Sequence, residues 1–458
     1  MSKTVKKTVC MVLLIATIIL GTDVVWANSV LTGWQSISMN SEPTGAQCPL
    51  EVQKEQIIFD ISEFPTDLNQ NYDNCVTILY TVHNPTDTAV KAKLFCPLGM
   101  AWEYEKYRFG DTEKYGVFAD GTPVKAVLRH FYVHDGMPFE PETDLLKLKD
   151  GFDTNSFFQP DMPMTEYIYE ISGVDTAAYD VASAGFVLDC NPAETRVYFE
   201  ECYDFDYDDE NRACPRVRAE NGMQLHLYVI GEPLIQNLAW RICENGAMEK
   251  EIAGSVNLIE TNQMTLREYV TESWNPEGDI MESDWYNAMV YVFDSCTKPG
   301  GFIGELYTTE DNLVNSLMSG FEYEIIVEAK QTVVNEVMMP ICPSVREDYE
   351  PLAYEYLFDL SSTGDWSQIN ELEIYVNTPF YMLKSEPEGF EETENGYVAR
   401  FNNAPKEELS FTLSETEEAY SKHENLRESR AQRRALRLVA FGIVIIVLLF
   451  SRRKLRKQ

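Results

Sequence analysis

The densest concentration of reactive side chains is YFEECYDFDYDDEN, residues 198–211, in which Asp204, Asp206 and Asp208 alternate and Glu200, Glu201, Asp209 and Glu210 flank them. Oxygen-rich Asp-x-Asp-x-Asp runs hold calcium when the chain turns so that alternate carboxylates converge. An EF-hand is excluded, because Asp209 stands where that loop needs glycine and Pro215 where it needs a bidentate Glu. If the stretch instead stays extended, the three carboxylates share one sheet face and form a solvated acidic hairpin end. Asp204, Asp206 and Asp208 are thus the candidate metal ligands, with calcium as the ion.

Other constellations are thinner. His130 and His134, followed by Asp135, would share a strand face and allow a zinc site, but no third ligand is evident. Trp102, Tyr104 and Tyr107 could stack on sugar rings or pack in a sheet. No Gly-x-Ser-x-Gly, P-loop, His-Glu-x-x-His or Gly-x-Gly-x-x-Gly occurs, and no CxxC supports a zinc ribbon or a thioredoxin-like redox site. Catalytic residues are therefore not assigned.

The elements that would carry these residues follow from periodicity. From residue 51 to about 135, alternating runs such as EVQKEQIIFDI and VTILYTV are broken by turns, among them His83-Asn84-Pro85-Thr86-Asp87 and Asp120-Gly121. An Asp-Gly pair between two strands marks a hairpin whose central residues both take positive φ. Residues 136–220 are rich in Pro and Asp and read as a loop-rich acidic insertion, with short strand candidates at TEYIYEI, 165–171, and TRVYFEECYDFDY, 195–207. Across 221–320 the types mix: Thr265 and Glu268 form a capping box, and Trp285, Ala288, Met289, Val292 and Phe293 fall on one helix face. Strand patterning returns over 321–415.

The expected fold is mainly β with some α: two antiparallel β-sandwich-like domains, 28–135 and 321–415, flank a mixed α/β region, and a C-terminal transmembrane helix follows.

The ends indicate export. Lys3, Lys6 and Lys7 precede an apolar run, and Val25-Trp26-Ala27 is a small-x-small cleavage pattern, so residues 1–27 read as a signal peptide. Residues 416–437 suggest a juxtamembrane helix, 438–451 a single span and 452–458 a basic cytoplasmic tail. The span's apolar core of 13 residues is short against the roughly 20 that cross a bilayer, so flanking residues must extend it while Arg437 snorkels.

The 458 residues carry 74 acidic against 37 basic side chains. Three basic residues lie in the leader and ten from Arg427 onward, and Asp23 and Glu428 also fall outside 28–426. That leaves 72 acids against 24 bases and a net charge of −48 on the ectodomain. Such a surface disfavours nucleic acid and anionic lipid and gathers cations. Nine mature cysteines, an odd number, cannot all pair internally.

The stretch from Phe321 to Leu413 contains Tyr323, Pro340-Ile341-Cys342-Pro343, Tyr349-Glu350-Pro351, Tyr354-Glu355-Tyr356, Trp366, Asn377-Thr378-Pro379 and Gly396-Tyr397. It resembles surface proteins of Gram-positive anaerobes that have no established activity. Tyr80 to Asp87 and Leu94 to Gly99 are similar to the first domain of those proteins. The resemblance implies a signal peptide, a secreted β-rich body and a C-terminal anchor, and it supplies no catalytic residues.

The reading that follows is a single-pass, membrane-anchored bacterial surface protein whose acidic ectodomain binds an extracellular protein or glycan. The alternative is a calcium-dependent or carbohydrate-active surface enzyme.

Overall fold

The computed structural model describes residues 24–26, 30–36, 48–64, 74–101, 116–133, 141–154, 157–179, 181–234, 238–276, 278–304, 313–341, 343–360, 371–402 and 409–422. The chain is mainly β, with several sheets and few helices. It divides into two compact units, one built from residues 1–98, 106–126 and 323–458 and the other from 99–105 and 127–322.

In the first unit, strands from 51–124 and from 332–401 share one eight-stranded sheet. Periodicity alone places these stretches in separate domains, whereas the sheet joins them. At the centre of the sheet, Glu51–Asp60 pairs antiparallel with Cys75–His83 and parallel with Leu372–Asn377. Parallel pairing of segments so far apart leaves no trace in local turn chemistry, which registers only hairpins. The Asp120-Gly121 hairpin forms as read: Asp120 and Gly121 take φ of 48° and 72° and join Gly116–Ala119 to Thr122–Val124. At the His83–Asp87 turn, Asn84 is fully buried. Its Nδ2 donates to the carbonyls of Thr88 and Val327 at 2.8 Å each, and its Oδ1 accepts from Thr86 N at 3.0 Å.

Inward-facing apolar residues of the large sheet meet a second sheet built on Ala353–Asp359, Leu409–Ser414 and Tyr381–Glu386. Phe59 packs edge-on against Phe358 and Phe411, with ring centroids 5.4 and 5.1 Å away. Val24–Trp26, which the sequence assigns to the leader, pairs in parallel with Leu357–Asp359 at the margin of this sheet.

The second unit is layered. Its five-stranded sheet runs in the order Ser255–Thr265, Pro163–Ser172, Gln224–Gly231, Thr195–Phe199, Phe302–Ile303. One face buries Leu225, Leu227, Val229 and Phe199 against Ala184 and Val217 of a four-stranded sheet and Phe186 just beyond it. The other face buries Met164, Tyr228 and Ile230 against Trp285, Met289 and Phe293 of the helix Glu282–Cys296. Because the Gln224–Gly231 strand is covered on both sides, its sequence is nearly continuous in apolar residues rather than alternating. The stretch 136–220, read as loop-rich with strand candidates at 165–171 and 195–207, supplies five strands to these two sheets: Pro163–Ser172, Thr195–Phe199 and Asp204–Tyr207 answer to those candidates, and Ser183–Gly185 and Ala213–Arg218 are added. The capping box forms as expected: Thr265 Oγ1 accepts from Glu268 N, and Glu268 Oε2 accepts from Thr265 N at the start of the helix Leu266–Thr271.

Among the described residues, no helix is long and apolar enough to cross a membrane. Residues 1–23 and 438–451 lie outside the described residues.

One inward position of the first unit is acidic. Glu55 is fully buried between Val52 and Ile57, and neither carboxylate oxygen has a partner. Burial pushes its carboxyl up to about 8. The folded state therefore holds this proton more tightly than the unfolded chain does. The associated stability is complete below the ordinary carboxylate range and is lost as pH rises to about 8. Substituting Glu55→Gln removes that dependence. In urea unfolding followed across pH, the stability of E55Q relative to wild type should rise by roughly 3 kcal/mol between about pH 5 and pH 8. A constant difference over that range would show that Glu55 is ionised in the folded protein.

Candidate functional site

In the second unit a buried ion pair fixes where the long helix begins. Asp284 lies in the first turn of Glu282–Cys296 and is 1% exposed; Arg129 lies on the strand Ala126–Tyr132 and is 3% exposed. Arg129 Nε and Nη2 donate to Asp284 at 3.1 Å, and His130 N donates to Asp284 Oδ2 at 2.8 Å. The same guanidinium reaches Glu322 at 3.2 Å and donates to the Lys149 carbonyl. A carboxylate in the first helical turn also suits the helix dipole. One turn further on, Asn287 Oδ1 accepts from Asp153 N at 2.6 Å and its Nδ2 donates to the Gly151 carbonyl at 2.9 Å. Strand, helix and the 149–153 loop are thereby held together by buried polar contacts.

Their junction forms a groove of about 380 Å³, lined among others by Tyr132, Lys147, Asp153, Tyr291 and Asp294. Its volume falls in the roughly 300–1,000 Å³ range of small-molecule sites. The Tyr132 and Tyr291 rings lie 5.3 Å apart, and Tyr291 remains 40% exposed. Lys147 Nζ sits 4.7 Å from the Tyr291 centroid, 2.7 Å from Asp144 Oδ1 and 3.0 Å from the Tyr132 carbonyl, so its charge is already satisfied. Asp153 and Asp294 make no ion pair among the described residues and present acceptors to the groove. Aromatic faces beside carboxylates that form no ion pair among the described residues suit a ligand with an apolar face and a rim of hydroxyl or ammonium donors.

A second polar cluster lies on the helix-facing side of the five-stranded sheet, beyond the apolar core. Glu166 Oε1 meets His226 Nδ1 at 2.8 Å, and Asn262 Nδ2 donates to Glu166 Oε2 at 3.0 Å. Tyr228 donates to Glu200 at 3.3 Å, and His226 N donates to Glu201 at 2.8 Å. Burial alone would lower the His226 pKa, but the bond to Glu166 and the nearby Glu201 charge outweigh it and raise the value. Desolvation likewise opposes Glu166, whose bonds from Asn262 and His226 carry its carboxyl below the ordinary range. The contribution of His226 is lost as pH rises through its raised value, and that of Glu166 is lost in acid. The pair is therefore strongest between the two.

The acidic segment does not gather into one site. Asp204 and Asp206 lie on the strand Asp204–Tyr207 and both accept from Arg216 Nη2 at 2.7 Å. Asp208 turns away: its Oδ1 accepts from Glu210 N and Arg212 N, and its Oδ2 from Arg212 Nη2 at 2.6 Å. The structure thus brings Asp204 and Asp206 together on an arginine and gives Asp208 to the hairpin turn. Among the described residues, no group of three His, Cys, Asp or Glu side chains is arranged to hold a metal ion.

His130 is 2% exposed, with Nδ1 unpartnered, and burial beside Arg129 lowers its pKa to about 4; His134 and Asp135 fall outside the described residues. Trp102, Tyr104 and Tyr107 also fall outside them. Sequence reasoning missed Arg129, Lys147, Asp153, Asp294 and the groove itself. Its only foothold there was the helix face, which sets Asp284, Asn287, Tyr291 and Asp294 off from the apolar positions.

No known protein family matches the chain, and no curated protein matches it. Among solved structures, it is similar to a "putative nutrient binding protein" of Legionella pneumophila, with a TM-score of 0.27 and 7% identity over 85% of this chain and 72% of that one. A superposition this loose carries no argument about fold or ligand.

Removing Asp284 leaves a buried, under-paired guanidinium at the root of the groove. Breaking a buried pair costs about 3–5 kcal/mol, and here the lower end applies because Glu322 remains beside Arg129. Asp284→Ala should lower stability by about 3 kcal/mol in urea unfolding of the full chain. A loss within about 0.5 kcal/mol, the range of ordinary surface changes, would show that the pair is not a structural requirement.

Proposed function

We propose that the protein is an exported, membrane-anchored surface protein whose second unit binds a small glycan without transforming it. The observation that carries this reading is the groove, where tyrosine surface lies beside the carboxylates Asp153 and Asp294, neither in an ion pair among the described residues. Sugar rings offer C–H faces to an aromatic ring and hydroxyl donors to carboxylates, and the groove supplies both from a frame held by Arg129, Asp284 and Asn287. The basic start and apolar run of residues 1–27 support export, and the apolar run and basic tail of 438–458 support a single-pass anchor with the ectodomain outside. Calcium at Asp204, Asp206 and Asp208 would require those carboxylates to leave Arg216 and Arg212, so the glycan reading does not depend on it.

Binding is tested by saturation-transfer NMR of the full chain against a panel of mono- and disaccharides. At least one sugar should saturate, and Asp294→Asn and Tyr291→Ala should each weaken it about tenfold, equal to 1.4 kcal/mol, without changing the melting temperature. Absence of binding across the panel at millimolar concentration overturns the glycan reading.

Anchoring is tested by fractionation. The full chain should partition with membranes, and a chain ending at Leu426 should remain in the aqueous phase. Full-length protein in the aqueous phase overturns the anchor.

A further inference from the structure

Among the described residues, the strand Ser255–Thr265 is the edge of the five-stranded sheet, paired over its length with Pro163–Ser172 on one side only. It is eleven residues long, and nearly all its positions are exposed or half-exposed. Long exposed edges offer a row of unmet N–H and C=O groups, and proteins ordinarily blunt them with lysine, proline, brevity or a bulge, of which this edge uses only the bulge at Ile259. This edge carries no lysine and no proline, and Glu260 is its only charged residue in a chain with 74 acids. Leu258 and Ile259 lie at its midpoint, 47% and 48% exposed, and Ile259 is the extra residue of a bulge between Leu258 and Glu260.

The two sides of the strand differ. On one side Val256 and Leu258 stand opposite Ile171 and Tyr169, both part of an apolar core. On the other side Asn257 stands opposite Glu170, Glu260 opposite Ile168 and Asn262 opposite Glu166. Asn262 bonds Glu166, and Asn257 bonds Ser172, so these side chains share the polar face on which His226 also lies. Beside the edge that face carries three carboxylates, Glu166, Glu170 and Glu260, and the only basic side chain described among them is His226.

We propose that this edge receives an extended segment of another protein as an added strand, and that the segment alternates basic and apolar residues. Period-two geometry places alternate side chains of an added strand on opposite faces. One set would lie beside Leu258 and Ile259 on the apolar side, and the other would meet Glu260 and Glu170. Lysine or arginine in the second set completes the charge of the polar face, and the main chain completes the ladder. The −48 charge of residues 28–426 draws a basic segment in from a distance and opposes a second copy of the same acidic chain.

The test uses the full chain in mild detergent with a fluorescent nine-residue peptide of alternating lysine and valine, and a glutamate–valine peptide as control. The lysine–valine peptide should bind, more weakly as salt rises, and should slow hydrogen exchange in 255–265, while the control stays unbound. The doubly substituted Leu258→Lys, Ile259→Lys chain should retain the wild-type melting temperature, because both positions are exposed, and bind the peptide at least tenfold more weakly. Three results would overturn the proposal: no binding; binding unchanged in the double variant with no exchange protection at 255–265, which marks diffuse charge attraction; or a concentration-dependent dimer protected at 255–265 without peptide, which assigns the edge to a second copy.

Discussion

The Arg129–Asp284 contact is the constraint around which the second unit is arranged. A guanidinium can leave water only where acceptors surround it, and here Asp284, Glu322 and the Lys149 carbonyl all do so. Those acceptors come from the long helix, from Leu317–Val327 and from the loop after Lys147, so satisfying one cation sets the positions of three segments. Asp284 in turn begins the helix whose Asn287, Tyr291 and Asp294 face the groove. The groove is therefore a consequence of a burial problem solved by geometry.

Apolar burial does the remaining work, and it does so on both sides of one sheet. Leu225, Leu227 and Val229 enter one core, while Tyr228 and Ile230 enter the other. A strand covered on both faces cannot slip by one residue without exchanging those sets. Register is thereby specified at the centre of the sheet and relaxed at its margin, where Ser255–Thr265 is open and bulged. The polar cluster of Glu166, His226 and Asn262 marks the boundary between the two regimes.

The first unit meets the same physics with a different exception. Its core accepts Glu55 without a partner, and the carboxyl responds by holding its proton. Elsewhere some carboxylates are met locally by bases and hydrogen-bond donors. Glu373 gathers Lys54, Arg400, Gln56 and Tyr375, which together hold its carboxyl at about 2 despite an opposing desolvation. Arg346 spans Asp348 and Glu355. A few arginines serve more than one acid each, Arg346 here and Arg212 and Arg216 in the second unit.

Periodicity and turn chemistry by themselves determined the β-rich class, the Asp120-Gly121 hairpin, the capping box at Thr265 and the buried face of the long helix, because each depends on neighbours within a few residues. The acidic excess was legible too, as composition. Tertiary structure alone decided that Glu51–Asp60 lies beside Leu372–Asn377, that Asp204 and Asp206 answer to Arg216 while Asp208 answers to Arg212, and that Asp153 and Asp294 line one groove with Tyr291. An Asp-x-Asp-x-Asp spacing states how carboxylates are strung along the chain. Which cation reaches them depends on strands and loops that fold against them, and a local pattern carries no record of those partners.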